Sequence, residues 1–393
     1  MISKPPVINN DNIGKVCFSA GGTGGHVYAA IPVIEALLKE NIKIQVITDT
    51  RGLKYYDTIK DKISIDVLVM DGLGKISIYK RLYGIFFMIS AIISTFIKFL
   101  FHRPDMVIGF GGHPAFPAVL SAAILRIPII IHEQNSVLGK ANRIMARFAK
   151  AICLSYKDTQ KIPAYALDRV IYTGMPLRKE ILTTIKSKYD PIHKDQFTIF
   201  IMGGSQGSNI FSETVPSAIK LLPKDCLENL TIIQQCRAND MENVSKIYNR
   251  LKIKNTLSDF FDNVPEILTK SSLVISRSGS SSVNEITNSK IPAIYIPYPY
   301  ASDNHQYYNA LAACTANGAW LIEQKNLTPE SLKELLSKLI NKPMLLREFS
   351  ANLKKLAVTT ATEKIIDTII SVHLNDRPVE AIDKQITKKR EKL

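Results

Sequence analysis

The feature that most constrains this chain is a pattern that occurs twice, about 180 residues apart. In each copy a short apolar run leads into a glycine-rich loop and then a helical pattern: "VCFSAGGTGGH" from Val16 and "IFIMGGSQGSN" from Ile199. Glycine permits positive φ and close backbone approach, and a helix start offers free N–H donors. Each copy therefore predicts a strand–loop–helix unit whose loop can receive an anionic group.

A second pair of matching segments supports an internal duplication. "DMVIGFGGHPAFP" from Asp105 and "SLVISRSGSSSVNE" from Ser272 each have the pattern of a strand, a loop of small residues and a helix. Continuous apolar runs that alternate with helices are typical of parallel strands covered on both faces. The sequence thus predicts an α/β protein with two Rossmann-like, doubly wound parallel-sheet domains whose loops face a cleft.

The join between the two halves is predicted near 172–196, which carries prolines and charges but no strand pattern. We expect a first domain over 1–174, a second over 175–372, and a basic, solvated tail over 373–393. The last helical pattern, about 363–372, has an apolar stripe that fits the core of either domain.

The formal net charge of +15 favours anionic partners: nucleic acid, an anionic membrane or a phosphorylated substrate. Aromatic residues do not alternate with basic ones as a nucleic-acid surface requires, so no nucleic acid is expected. The five cysteines are scattered and predict buried thiols, and the absence of HExxH, DxD and Cys/His clusters predicts no metal. The first 15 residues hold no apolar signal core, which predicts a cytoplasmic protein.

One apolar segment, 81–104, is about long enough to span a bilayer as a helix. Three interpretations remain open: a transmembrane helix, a buried crossover helix of an α/β domain, or a helix partly exposed to lipid. Lys98 lies inside the segment and further basic residues flank it, while its serines and threonine recur at roughly helical spacing. This amphipathic character favours contact with a membrane surface, and the last two interpretations can hold for different faces of one helix.

The loop "GGTGGH", 21–26, suits a diphosphate because its glycines lead into a helix start. His26 lies where the helix dipole disfavours protonation, so a neutral imidazole that can accept a proton is expected there. The alternative is a tight turn with a structural histidine. Gly22, Gly111 and Gly112 are the further glycines that we expect around the diphosphate.

Polar residues cluster at other predicted strand ends. "HEQN", 132–135, ends a strand with four hydrogen-bonding side chains, and Arg178 lies at the predicted domain join, where it could meet a diphosphate. Glu285 follows a serine-rich loop and could hold the hydroxyls of a ribose, although a first-turn acid is the alternative. "SDNHQ", 302–306, is more polar than a helix cap needs.

Taken in order, "GGTGGH", "HEQN", "GGSQG", "RSG" with its following glutamate, and "HQYYNA" resemble the MurG family of UDP-N-acetylglucosamine transferases, over about 15–372. The resemblance implies a GT-B fold, inverting metal-independent transfer from UDP-N-acetylglucosamine, and lipid I converted to lipid II. It also implies a peripheral position on the cytoplasmic face of the cell membrane, through about 79–103. Other cell-wall synthesis proteins are expected as partners.

The resemblance implies a role for each matching residue. His26 becomes the base toward the 4-hydroxyl of the muramyl acceptor, Glu285 holds the ribose, and Gln306 contacts the transferred sugar. Arg178 and Ser205 attend the diphosphate, and Phe261 offers a backbone contact to uracil. The full set implied for the donor is Thr23, Gly24, Gly25, Asn135, Arg178, Ser205, Phe261, Ser280, Ser281, Ser282, Val283, Asn284, Glu285 and Gln306.

The chain departs from the family pattern in four places. His305 stands where the family has a first glutamine, Met175 where it has asparagine, and His113 where tyrosine is common, while the stretch 279–285 is richer in serine. Two other hypotheses stay open: a GT-B enzyme with another acceptor, such as a glycolipid synthase or a nucleotide-sugar epimerase, and a non-catalytic relative, which the altered His305 and Met175 motivate.

Overall fold

The structure, a computed structural model, describes residues 13–69, 78–184, 189–191, 196–203 and 209–374. The chain divides into two compact units. The first domain comprises Met1–Arg178 and Thr359–Leu393, and the second comprises Lys179–Val358.

The first domain is built on a seven-stranded sheet in which every strand pair is parallel. Its order is β3-β2-β1-β4-β5-β6-β7, so β1 lies at the centre, with Phe18 between Val46 and Ile108 on its neighbours. The strands are β1 Lys15–Ser19, β2 Lys43–Asp49, β3 Ser64–Leu68, β4 Met106–Gly109, β5 Ile129–Glu133, β6 Ala151–Leu154 and β7 Val170–Tyr172.

Five helices of the first domain follow its strands. They are α1 Gly24–Lys39, α2 Thr50–Leu53, α3 Ile78–Phe101, α4 Ala115–Ile124 and α5 Lys140–Met145. One apolar cluster packs α1 against the central strands, and a second packs α3, α4 and α5. The central strands are therefore buried on both sides, which explains why burial does not alternate along β1, β4 and β6.

The second domain repeats this architecture with six parallel strands in the order β10-β9-β8-β11-β12-β13. The strands are β8 Phe197–Met202, β9 Leu230–Gln235, β10 Lys254–Ser258, β11 Leu273–Ser276, β12 Ala293–Tyr295 and β13 Ala319–Leu321. Its helices are α6 Lys179–Thr184, α7 Asn209–Lys220, α8 Lys224–Leu227, α9 Ala238–Arg250, α10 Val264–Lys270, α11 Ser280–Asn288, α12 His305–Thr315, α13 Pro329–Asn341 and α14 Pro343–Leu356. The predicted α/β class with two doubly wound parallel sheets is confirmed.

The strand orders also show where a ligand can bind in each domain. The order reverses between β1 and β4 in the first sheet and between β8 and β11 in the second. At such a reversal the loops that leave two adjacent strands diverge to opposite faces and open a crevice at the carboxyl edge. The four loops there are the two pairs of repeated segments that the sequence singles out.

The domain boundaries differ from the prediction of 175–372 for the second domain. Met175 and Leu177 are buried, and Met175 belongs to the α1 cluster of the first domain. The last helix, α15 Ala361–His373, returns to that same cluster, where Ile365 and Ile369 are fully buried. The sequence showed an apolar stripe, but a stripe alone does not specify which core it joins.

Helix α3 connects β3 to β4 as a crossover helix and has two contrasting faces. One stripe is buried in the domain at Ala91, Thr95 and Phe99, and the Ser121 hydroxyl of α4 donates to the carbonyl of Ile92, 3.1 Å away. The opposite face exposes large apolar side chains: Ile85, Phe86, Ile89, Ile93, Ile97, Leu100 and Phe101. Among the described residues, 84–101 is the one helical stretch long and apolar enough to cross a membrane by length and composition, and 22% of it is buried.

We expect Ile369→Ala to destabilise the first domain by about 2–5 kcal/mol, because it leaves a cavity among packed side chains. Hydrogen exchange should show faster exchange of the amides of β1 and α1, with the amides of β8 and β11 unchanged. The matched control is Asp367→Ala on the exposed face of the same helix, which should change stability by less than about 0.5 kcal/mol. Loss of protection in the second sheet instead would contradict the assignment of α15.

Candidate functional site

The first glycine loop lies between β1 and α1, at the crevice of the first sheet. Gly22 has φ +78°, Thr23 is the N-cap, and α1 begins at Gly24, so His26 is the third residue of the helix. The first turn of a helix has backbone N–H groups without partners inside the helix, at the positive end of its dipole. The first turn of α1 contains no acidic side chain that would occupy this end.

The second glycine loop, after β4, presses against the first. Gly111 and Gly112 have φ values of +90° and +81°, which L side chains rarely adopt. A Cβ on Gly112 would come within 2.4 Å of the Gly21 carbonyl oxygen, and one on Gly111 within 3.0 Å of the His26 ring. Only glycine fits at these two positions, and the two loops together confine the imidazole of His26.

Asp49, at the end of β2, ties the first loop down. Its Oδ1 accepts the N–H groups of Gly22 at 2.8 Å and Gly52 at 2.9 Å, and its Oδ2 accepts from the Arg51 guanidinium at 3.1 Å. Burial disfavours the charged carboxylate, but these donors outweigh it and lower the pKa of Asp49. Neither Asp49 nor Arg51 was predicted from the sequence, although "TDTRG", 48–52, is a polar run at the end of a strand.

Within "HEQN", Glu133 organises the loop. Its Oε1 accepts from the backbone N–H and the side-chain amide of Asn135, and its Oε2 accepts from the Gly139 N–H and the Asn142 amide, at 2.8–3.1 Å. A buried carboxylate with four donors is well compensated. Asn135, predicted as a donor contact, is thereby held at the carboxyl edge of the first sheet.

The other two side chains of this motif lead to His26. The Gln134 Oε1 lies 2.8 Å from the His26 Nδ1, and the Gln134 Nε2 lies 3.0 Å from the His132 Nδ1. His132 is fully buried, stacks on Phe110 at 4.9 Å between ring centroids, and has Nε2 3.3 Å from the Gly174 carbonyl. Burial lowers the pKa of His132 to about 4. The sequence marked the motif as polar but did not show that it touches His26.

Two further charged residues belong to this edge of the first domain. The Arg178 guanidinium lies over the Tyr28 ring, 5.0 Å from its centroid, and so rests on α1 two residues beyond His26. His113 lies on the second glycine loop, where burial first and then the positive charge of Arg51 lower its pKa.

In the second domain, Gln235 at the end of β9 holds two loops together. Its Oε1 accepts the Gly203 N–H at 3.2 Å, and its Nε2 donates to the Asp259 carbonyl at 2.9 Å. Phe261 follows that loop and packs its ring edge-on against Phe200 of β8, at 5.8 Å. Ser205, the predicted diphosphate contact, lies outside the described residues.

The loop between β11 and α11 carries most of the predicted donor contacts. Ser280, Ser281 and Ser282 form the first turn of α11, and Glu285 is 9% exposed on its next turn. The hydroxyl of Ser278 is fully buried and has no hydrogen-bond partner among the described residues. A buried hydroxyl without a partner is costly, and a ligand at this helix start would satisfy it.

The next two residues of α11, Val283 and Asn284, make contacts within the protein. Val283 is 3% exposed and its N–H donates to the Gly279 carbonyl, while the Asn284 amide donates to the Ser280 carbonyl. The Val283 side chain therefore packs inside the second domain, and its contact with the donor stays a prediction. The Asn309 amide of α12 donates to the Ser278 carbonyl at 3.1 Å, which fixes the start of α12 beside that of α11.

The turn before α12 is strained. Asp303 and Asn304 both have φ +53°, a left-handed conformation that aspartate and asparagine tolerate better than most residues. The Gln306 Oε1 accepts the Tyr298 N–H at 2.9 Å. The side-chain NH₂ group of Gln306 takes no part in this hydrogen bond. The His305 Nδ1 donates to the Ser302 carbonyl at 2.8 Å.

Arg277, which our sequence analysis left unassigned, connects three strand ends of this domain. Its guanidinium donates to the carbonyls of Ile296 and Pro297 at 3.1 Å and to the Gln324 Oε1 at 2.7 Å. Burial lowers the pKa of Arg277. Arg277 thus joins the carboxyl ends of β11 and β12 to the segment after β13. These contacts fix the start of the loop that leads into α11.

Comparison with known proteins gives the family. Residues 16–154 match the glycosyltransferase family 28 N-terminal domain, and residues 198–365 match the C-terminal domain of that family. A Rickettsia felis protein named UDP-N-acetylglucosamine–N-acetylmuramyl-(pentapeptide) pyrophosphoryl-undecaprenol N-acetylglucosamine transferase is 38% identical over 351 residues, covering 87% of this chain and 95% of its own. This chain belongs to the MurG family of glycosyltransferases.

Solved structures agree with the MurG family. The crystal structure of Acinetobacter baumannii MurG aligns with a TM-score of 0.74 at 28% identity, over 91% of this chain and 99% of that one. A Neisseria meningitidis UDP-GlcNAc 2-epimerase bound to UDP-GlcNAc aligns with a TM-score of 0.64 at 16% identity, over 91% and 100%, which shows a shared fold alone. In the ranges that the structure describes, no three His, Cys, Asp or Glu side chains are grouped as metal ligands.

The buried His132 predicts a pH dependence of stability. Its pKa is about 6.5 in the unfolded chain and about 4 in the folded one, so the unfolded state binds more protons between these values. Stability is full above pH 6.5 and falls as the pH drops toward 4. From pH 7 to pH 5 we expect a loss of about 2 kcal/mol from this group.

The measurement is the free energy of unfolding of the wild type and of His132→Gln at both pH values. The stability advantage of the wild type over the variant should shrink by about 2 kcal/mol at pH 5. An advantage that stays constant would show that His132 does not remain neutral in the folded protein.

Proposed function

We propose that this protein transfers N-acetylglucosamine from UDP-N-acetylglucosamine to the 4-hydroxyl of the muramyl group of lipid I, giving lipid II with inversion and without a metal. The observation that carries the proposal is 38% identity, over 87% of this chain, to a protein named for that transfer. The first domain adds a histidine confined between two glycine loops at the start of α1.

The chemistry that we propose is a direct displacement. His26 takes the proton of the acceptor hydroxyl, and that oxygen forms the new bond to C1 of the sugar. The bond from C1 to the diphosphate breaks, and its electron pair leaves with UDP. General-base assistance of this kind contributes about 10²–10⁴-fold to a rate.

We propose that fixed dipoles and cations of the protein stabilise the negative charge of the leaving diphosphate. The first turn of α11 has N–H groups at the positive end of a helix dipole, and the Ser278 hydroxyl beside it has no partner among the described residues. Arg178 and Ser205 are proposed as further diphosphate contacts, Glu285 as the ribose contact, and Gln306 as the sugar contact. Preorganised groups of this kind act without reorganisation during the reaction.

The glycine loops of the first domain are proposed to hold the acceptor diphosphate. Gly22, Gly111 and Gly112 have positive φ and no side chains, so their backbone can approach a phosphate closely. The guanidinium of Arg51 lies beside Gly22 and is half exposed, which adds a positive charge at the rim of this loop. Thr23, Gly24 and Gly25, at the adjoining helix start, stay proposed as donor contacts.

We expect His26→Ala to lower turnover about 10²–10⁴-fold while UDP-N-acetylglucosamine binds as in the wild type. Glu285→Gln should instead weaken donor binding about tenfold or more, because a charge-assisted hydrogen bond is lost. Turnover on a soluble lipid I analogue and calorimetric titration with UDP measure the two effects separately.

The matched controls are His102→Ala, an exposed histidine of the first domain, and Glu330→Gln, an exposed first-turn acid of α13. Neither should change turnover or donor binding. If His26→Ala lowered turnover and donor binding equally, His26 would not be the base. Transfer to other acceptors but not to the lipid I analogue, in a panel with one labelled donor, would contradict the proposed acceptor.

We also propose that the exposed face of α3 rests on the anionic cytoplasmic membrane surface without spanning it. Its buried stripe packs on the domain, so lipid cannot surround the helix. Lys98, the one charged residue in 84–101, pairs with Asp66 of β3, so the apolar face carries no uncompensated charge. The exposed Arg103 and Arg126 lie together where α3 ends, and each basic residue near such a surface contributes about 1 kcal/mol.

Replacing Phe86 and Ile93 together by serine should reduce binding to vesicles that contain anionic lipid about tenfold or more, because two exposed apolar side chains are lost. Co-sedimentation at low and high salt measures both the apolar and the electrostatic part. The control replaces Leu221 and Met344, exposed apolar residues of the second domain, by serine. Equal binding of the two double variants would contradict the α3 surface.

A further inference from the structure

We infer that His132 and Gln134 are positioning residues that fix the tautomer of His26, through a hydrogen-bond chain that starts at the backbone carbonyl of Gly174. The chain places the hydrogen of the His26 ring on Nδ1 and leaves a lone pair on Nε2. The inference deepens the proposed function, since the base that we assign needs that lone pair to accept the proton of a hydroxyl.

The direction of the chain is set at its first link. A backbone carbonyl can only accept, so the His132 Nε2, 3.3 Å from the Gly174 oxygen, must carry the hydrogen. A neutral imidazole has one N–H, and the full burial that lowers the pKa of His132 keeps the ring neutral. The Nδ1 of His132 is therefore an acceptor.

The second link orients the amide of Gln134. Its nitrogen lies 3.0 Å from the His132 Nδ1 and 3.3 Å from the backbone carbonyl of His132. Both of these atoms accept, so the amide NH₂ group must face them and the amide oxygen must face the other way. Two independent acceptors thus remove the ambiguity that an amide orientation usually has.

The last link decides the state of His26. The Gln134 oxygen lies 2.8 Å from the His26 Nδ1, and an amide oxygen can only accept. The Nδ1 of His26 must donate, so Nε2 of the neutral ring holds the lone pair. Gly111 leaves space for the His26 ring. A Cβ at position 111 would lie 3.0 Å from the ring and crowd it.

Two titratable residues on other elements are neighbours of His26 in the described part of the chain. His113, on the loop after β4, and His132, on β5, both interact electrostatically with His26, and burial lowers the pKa of each. These shifts favour the neutral form of both rings, so neither ring favours a charge that would compete with the hydrogen bond from His26 to Gln134.

The direct test is nitrogen NMR of the full-length protein labelled with ¹⁵N-histidine, with His26 assigned by comparison with His26→Ala. At a pH where His26 is neutral, we expect a protonated Nδ1 and a bare Nε2. A bare Nδ1 in the wild type overturns the inference, and this outcome needs no variant that might fail to fold.

Two substitutions separate positioning from mere structural support. Gln134→Leu should release the tautomer and lower kcat by about a hundredfold, the lower end of what a positioned base contributes, with KM for the donor unchanged. Gln134→Glu keeps an oxygen that accepts from Nδ1, so the tautomer should persist. Its second oxygen replaces the donor to the two His132 acceptors, so this variant should also be less stable. Its carboxylate favours the protonated ring and should move the acidic limb of the kcat profile up by about one to three pH units.

The matched control is Gln45→Leu, a buried glutamine of the same sheet whose amide donates to Asp66. It should leave the His26 resonances and kcat unchanged. A fall in kcat equal to that of Gln134→Leu would show that loss of stability explains both variants and would contradict the positioning role. Absence of transfer by a wild type that shows the expected tautomer would refute the proposed function alone. Transfer by a wild type with a bare Nδ1 would refute the positioning role alone.

Discussion

The site of the first domain depends on the contact between two backbone segments at the crossover between β1 and β4. There the Gly21 carbonyl oxygen occupies the space that a side chain at position 112 would need. Residue 112 must therefore be glycine for the two loops to make this contact. Because the loops interlock, the start of α1 and the ring of His26 have fixed places. The Asp49 carboxylate then holds the outer loop through two backbone N–H groups. A ligand here meets a preformed site.

The sequence predicts those parts of the protein that depend on local pattern. Apolar runs followed by glycine loops and helical periodicity identify strand, loop and helix within a few residues, and the duplication predicts two sheets. Asp49, Arg51, Gln134 and Arg277 were missed as members of the site because their roles depend on which strand ends are neighbours. The polar run "HEQN" is visible in the sequence, but only the adjacency of β5 to β4 brings Gln134 to His26.

The two domains use the same scaffold for different kinds of support. In the first domain the crevice is shaped by missing side chains, and burial lowers the pKa of His113 and His132 beside it. In the second, a buried arginine, Arg277, ties three strand ends together beneath a loop of serines. A loop of serines beside a fixed cation suits an anionic ligand, whereas an imidazole confined between two loops suits the removal of a proton. The proposed roles, with the acceptor diphosphate at the first domain and UDP at the second, are thus consistent with the local chemistry of each domain.

The return of α15 to the first domain has a consequence for how the protein is made. Its isoleucines complete the core around α1, yet they leave the ribosome only after the whole second domain has been made. The second domain is a continuous segment and can fold as soon as it emerges, while the first must wait with part of its apolar surface uncovered. Nascent chains therefore hold an unfinished first domain during synthesis of the entire second one, and a stop codon before residue 361 would leave that exposed surface permanent.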